Sequence, residues 1–236
     1  MNEGIKINVN AKKILIFLIL LVSLLIILSI TGQVYRYNYN NGASRFLTAF
    51  FNVDVEYNLP TWVNTLYLLI NSLLLFVITF LNRKVEKKYS SKWLILAFIF
   101  FILSTDEIIK LHENLNTPII HYFKTSGYLH FAWIIPGTIF LLILAITYYK
   151  FLFYIPRRTM LLFITSGIIF VCGAIVTEAL GGNYVDTHQY RDFTYVIFTT
   201  VEESLEMIGL SLFIYSLLDY INNEYKDIHL SFTLRK

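Results

Sequence analysis

The sequence predicts an all-α integral membrane protein: a six-transmembrane-helix bundle, one membrane domain over residues 1–236, with both termini in the cytoplasm. Three observations predict it. Six apolar runs are each long enough to cross a bilayer, at about 14–31, 61–81, 93–112, 128–149, 159–180 and 194–220. The chain is 56% hydrophobic and only 15% charged, less charged than a soluble domain of this size. Its basic residues alternate in density between successive loops. Fourteen fall on one side: Lys6, Lys12, Lys13, then Arg83, Lys84, Lys87, Lys88, Lys92, then Lys150, Arg157, Arg158, then Lys226, Arg235, Lys236. Four fall on the other, Arg36, Arg45, Lys124 and Arg191, which places the first group in the cytoplasm by the positive-inside rule. The net charge of +3 is explained by this loop bias and gives no reason to expect nucleic acid. The single cysteine, Cys172, excludes an internal disulfide and reads as a packing residue.

The first run follows a basic start and resembles a signal peptide in length. The residues after it, Ser29-Ile30-Thr31-Gly32, make a poor cleavage site, so it reads as a retained helix. An outer loop over 32–60 follows. Within it, 43–52 has the pattern of a short interfacial helix that dips Phe46, Leu47, Phe50 and Phe51 into the membrane surface while Arg45 stays wet. Pro60 suits the first turn of the second span. Asn64 and Asn71 share a face of that span, and Asn71 reads as an interhelical hydrogen bond. The third span turns polar at its outer end, Ser104-Thr105-Asp106-Glu107 through His112-Glu113-Asn114, and Asn116-Thr117-Pro118 is expected to end it. On an unbroken helix Asp106, Lys110 and Glu113 share a face as a local ion triad, and His112 points away from Asp106. The fourth span opens at Tyr128-Leu129-His130 and carries a Pro136-Gly137 kink. In the fifth, Glu178 precedes Gly181-Gly182-Asn183, an expected helix end before a short outer loop that reaches Asp192.

The sixth span carries Glu202, Glu203 and Glu206 inside an apolar run. Carboxylates at membrane depth are costly, so that face must meet something other than lipid. Glu202 and Glu206 lie on one stripe with Tyr195, Thr199, Gly209 and Phe213, and Glu203 lies at its edge. At ~1.5 Å per residue these acids sit in the same outer half as Asp106, Glu107, Glu113, Glu178, His112 and His130. Seven acids there face one lysine, Lys110. At ~3 kcal/mol each, leaving them all ionised and unpaired would cost on the order of 20 kcal/mol, more than the ~5–15 kcal/mol stability of a typical protein. They must share water, hold protons or bind cations.

Carboxylates with imidazoles and no thiolate suit a divalent ion such as Mg, Ca, Mn, Fe or Zn. The expected ligands are Glu107, His112, Glu113, Glu178, Glu202, Glu206 and His130, with Glu203 or Asp106 as general base. Neither the di-iron Glu-x-x-His pattern nor the zincin His-Glu-x-x-His pattern occurs, so the donor types imply an ion class and no particular metal.

Several segments together resemble an uncharacterised group of bacterial multi-pass membrane proteins. They are Asn58-Leu59-Pro60-Thr61-Trp62, Ser104-Thr105-Asp106-Glu107 with His112-Glu113, Trp133-Ile134-Ile135-Pro136-Gly137, Glu178 with Gly181-Gly182, and Glu202-Glu203-Ser204-Leu205-Glu206-Met207 with Gly209. The resemblance runs from about 45 to 220. It implies a bacterial cytoplasmic membrane and supplies no reaction.

Three functions remain open on the sequence. One is an outward-facing cation site, serving a metal-dependent enzyme that acts on a small membrane-embedded or extracytoplasmic substrate at the outer leaflet. Another is proton- or cation-coupled transport, which needs a polar route through an inner half that offers only Asn71, Ser166, Ser211 and Ser216. The third is a structural or partner-binding protein whose acids are protonated.

Overall fold

The computed structural model describes residues 10–39, 41–189 and 192–225, and among them the chain is helical with connecting turns and no strand. Five helices are long and apolar enough to cross a membrane: Ala11–Asn38, Leu59–Lys84, Ile134–Leu152, Arg157–His188 and Phe193–Glu224. Lys6, Arg191, Lys226, Arg235 and Lys236, which enter the charge count along the sequence, lie outside the described residues.

Helix α1 spans Ala11–Asn38 and α2 spans Gly42–Phe51. Asn41 and Ser44 form a reciprocal capping box that starts α2. α2 buries its small polar residues Ser44 and Thr48 and turns Phe46 and Phe50 outward. That inversion belongs to a helix whose apolar side is left for lipid.

Helix α3 (Leu59–Lys84) begins at Asn58, whose side chain accepts from the Thr61 amide, with Pro60 in the first turn. It pairs along its length with α4 (Ser90–Ile109). Ser104 donates to the Thr65 carbonyl at 3.0 Å and Ser72 to the Ala97 carbonyl at 2.8 Å. α4 also carries Lys92, Asp106 and Glu107, more charge than the five helices above hold in their apolar stretches.

The third apolar run does not continue as one helix to His112. Lys110 takes a left-handed φ of 55°, ending α4 and starting α5 (Leu111–Phe123) in a new direction. Pro118 is tolerated inside α5 instead of ending a span. A 3-10 turn at Gly127–Leu129 and irregular backbone around His130 precede α6 (Ile134–Leu152), so the fourth helix starts later than Tyr128. Gly181-Gly182 does not end the fifth helix either. α7 (Arg157–Val171) passes through a π-helical segment, Cys172–Thr177, into α8 (Glu178–His188). The Thr177 hydroxyl closes that segment on the Cys172 carbonyl at 3.0 Å. Most of the loop expected before Asp192 is thereby helical.

Helix α9 (Phe193–Glu224) is the axis of the bundle. Asp192 caps it by accepting from the amides of Thr194 and Tyr195. α1, α3 and α7 pack along it. Two glycines set how close α7 comes. A Cβ on Gly209 would sit 2.8 Å from the Phe170 nitrogen, and one on Gly173 would sit 2.7 Å from the Glu202 carbonyl oxygen. Only hydrogen at these positions allows the backbones to approach so closely.

The core has two parts. One joins α3, α4, α6, α7 and α9 at the end of the bundle that carries Lys92, Lys150, Arg157 and Arg158. Trp93, 1% exposed, packs there on Phe151, Phe163 and Tyr220. The other joins α1, α3 and α9 through Val22, Leu25, Leu68, Met207 and Leu210. Asn71 crosses from α3 to the Leu210 carbonyl of α9 at 3.3 Å. The opposite end of the bundle is not filled.

Candidate functional site

A cavity of about 1000 Å³ occupies that unfilled end, walled by α3, α4, α6, α9 and the π-helical segment, with α5 along its edge. Helical period explains which side chains reach it. On α9 the stripe Tyr195, Thr199, Glu202, Glu203 and Glu206 lines the wall, and on α4 the stripe Ile99, Ile102, Leu103, Asp106 and Glu107. Glu178 enters at the first turn beyond the π-helical segment, where one extra residue per turn rotates the face that α8 presents.

The acids differ in what holds them. Glu107 accepts from the Asn64 amide at 3.0 Å, and the same amide borders Glu206. Glu178 accepts from the Trp133 indole N–H at 2.8 Å. Glu202 and Glu203 make no side-chain hydrogen bond among the described residues, while Glu202, Glu203 and Glu206 are electrostatic neighbours of one another. Among the described residues, two cationic side chains border the cavity, and both are engaged. Lys110 Nζ lies 3.0 Å from Glu56 and 3.9 Å from Glu113. The His112 ring lies 2.6 Å from Asp106, whose other oxygen accepts the His112 backbone N–H at 2.9 Å.

This corrects the unbroken-helix geometry. The turn at Lys110 swings His112 back onto Asp106 and sends the lysine to the loop acid Glu56, so of the Asp106–Lys110–Glu113 triad only the Lys110–Glu113 arm forms. His112 lies beyond the end of α4 and Glu56 in the α2–α3 loop, and their titration reports the setting. Burial lowers the His112 imidazole, but the hydrogen bond and charge of Asp106, with Glu178 and Glu107 behind it, carry it up to about 9. Burial and Glu113 together push the Glu56 carboxyl up to about 7, against the pull of Lys110.

His130 does not line the cavity. It faces Asp186 at 3.4 Å, beside the Gly127 amide that donates to the same carboxylate at 2.9 Å. Among the described residues, no three His, Cys, Asp or Glu side chains are arranged to hold a metal ion. The residues expected as ligands, Glu107, His112, Glu113, Glu178, Glu202 and Glu206, are spread around the wall of a wide cavity instead of converging on a point.

The sequence reading missed Asp54 and Glu56, which line the cavity from the α2–α3 loop, and Asn116, which accepts the Trp133 backbone N–H at 2.9 Å. It also assigned no role to Trp133. Loop acids are normally solvated, so no local signal marks them out.

A family model described as a domain of unknown function, DUF8692, matches residues 14–220. The chain belongs to that family. The matched range takes in every acid that lines the cavity. No curated protein and no solved structure matches.

Proposed function

We propose that this is a six-span protein of a bacterial cytoplasmic membrane, termini inside, whose chamber takes up a cation from the outer side of the bilayer. One observation carries the reading: Glu107, Glu178, Glu202, Glu203 and Glu206, from three helices, line one cavity whose cationic neighbours among the described residues, Lys110 and His112, are each paired with another acid, Glu56 and Asp106. Carboxylates in a low-dielectric wall ionise only against a counter-charge, and an entering cation supplies it.

In the version where the cation is divalent, Glu178, Glu202 and Glu206 would have to draw inward around it, with water completing its shell. If that ion served hydrolysis, Glu203, which lines the same wall, would be the candidate base. Asp106 would orient His112 and not act as a base, because His112 holds both of its oxygens. Transport across the bundle is disfavoured by the aromatic packing of Trp93, Phe151, Phe163 and Tyr220, which fills the opposite end. A purely structural role for neutral acids gives no reason for Glu202 and Glu203 to face a cavity instead of hydrogen-bonding between helices.

The test is equilibrium binding to the protein in nanodiscs, with manganese(II) and with methylammonium as separate probes. Saturable binding of at least one is expected, weakened about tenfold or more in Glu202→Gln/Glu206→Gln. Binding of neither, or binding equal in the variant, overturns the proposal.

A further inference from the structure

Helices α4 and α6 are clamped at one end and parted at the other. Near the aromatic core the Tyr148 hydroxyl of α6 donates to the Lys92 carbonyl of α4 at 2.9 Å, and the rings of Trp93 and Phe151 meet edge to face at 5.0 Å. Toward the acid end, Ile102 and Leu103 on α4 and Phe140 and Leu141 on α6 line the cavity that separates them. Ile102 is 61% exposed and Phe140 43%, so the same side chains face both the chamber and the flank of the bundle. Gly137 contributes to the parting. Its Cβ position is filled by the Trp133 ring at 2.8 Å and looks onto Ile175 at 3.5 Å, so the start of α6 leans on the π-helical segment and not on α4.

The chamber is therefore not only a well for an aqueous ion. An apolar slot runs from the lipid-facing flank to a wall of carboxylates, with Trp133 and Phe131 beside them. We infer that the cation is the head of a single-chain amphiphile, an alkylamine, which enters from the bilayer through the α4–α6 slot and leaves its chain between those helices. This inference rests on the cation-binding reading above. The acids select a positive head and repel a phosphate-bearing one, and aromatic faces favour ammonium groups. The branched and aromatic slot walls offer a chain the same apolar surroundings as lipid, so the tail crosses without cost while the head gains a counter-charge.

The experiment is photo-crosslinking in nanodiscs with dodecylamine carrying a mid-chain diazirine, with labelled peptides mapped by mass spectrometry. Saturable labelling is expected on α4 around Ile102 and on α6 around Phe140, competed by plain dodecylamine. It should fall about tenfold or more in Glu202→Gln/Glu206→Gln and with the alcohol of the same chain and diazirine. The double variant Ile102→Phe/Leu141→Phe, which narrows the slot, should cut the labelling about tenfold more than it weakens methylammonium binding. Equal labelling by the alcohol overturns the inference, even if the glutamine variant fails to fold. Labelling that survives in the slot variant overturns the lateral route. If methylammonium or manganese(II) binds but no amine-selective labelling appears, the amphiphile inference falls and the cation chamber stands; if neither probe binds, both fall.

Discussion

At the scale of single residues, the site is decided by who takes each charge. Asn64, 1% exposed, donates its amide N–H to Glu107, and among the described residues its own carbonyl oxygen has no hydrogen-bond partner. Asn64→Leu should therefore strip Glu107 of its donor. The expected loss is ~1–3 kcal/mol of unfolding free energy, measured by denaturant titration in detergent; an unchanged midpoint would show the bond to be idle. His112 and Glu56 predict how the chamber's edge responds to pH. The His112 pKa of about 9 lies above its ordinary 6.5, so the Asp106 bond stabilises fully below 6.5 and is lost as pH rises through 9. The Glu56 value of about 7 lies above 4.5, so its contribution also declines with rising pH, between those two values. Amide exchange in 111–123 should accelerate in two steps as pH rises, after correction for intrinsic rates. The upper step should vanish in His112→Gln, and a single step in both proteins would refute the assignment.

At the scale of elements, contact between α7 and α9 positions Glu202 and Glu206, and it depends on the absence of side chains. Leucine at Gly209 would strike the Phe170 backbone, and leucine at Gly173 the Glu202 carbonyl. Gly209→Leu should destabilise by ~1–3 kcal/mol and lower the thermal midpoint of the purified protein, whereas leucine at Gly167, with open space around it, should not. Helix α5 is the weakest element by burial, because none of its residues is buried. It is held by His112 on Asp106, Asn116 on the Trp133 amide, and the turn at Lys110. Lys110→Gly suits that left-handed turn but removes the pair with Glu56, so faster exchange confined to α5 and its flanking turns is expected.

At the scale of the whole molecule, most described lysines and arginines of the connecting segments lie toward the aromatic end and the acids of the cavity toward the other, so the positive-inside rule predicts an orientation that can be measured. In a Cys172→Ser background, Ser126→Cys, exposed near the acid end, should react with a membrane-impermeant maleimide on intact cells. Ser91→Cys, beside Lys92 and Trp93, should react only after the cells are opened. The reverse pattern would invert the topology and put the chamber inside the cell.

The sequence by itself determined the helical class, the membrane-length apolar stretches and the concentration of acids toward one end, because hydropathy and the helical period are local properties that no distant contact can alter. It placed Glu202 and Glu206 on one stripe of α9 for the same reason. Three things needed the tertiary structure. The left-handed turn at Lys110 carried His112 to Asp106, since one backbone dihedral outweighs any helical-wheel argument beyond it. Helix α8 runs on through Gly181-Gly182, since packing of Gly181 on Phe198 of α9 and of Gly182 on Phe131 overrode a pair of helix-ending residues. The third is the slot between α4 and α6: two apolar flanks read alike whether they meet or part, and only the lean of α6 toward the π-helical segment leaves a gap leading to the acids.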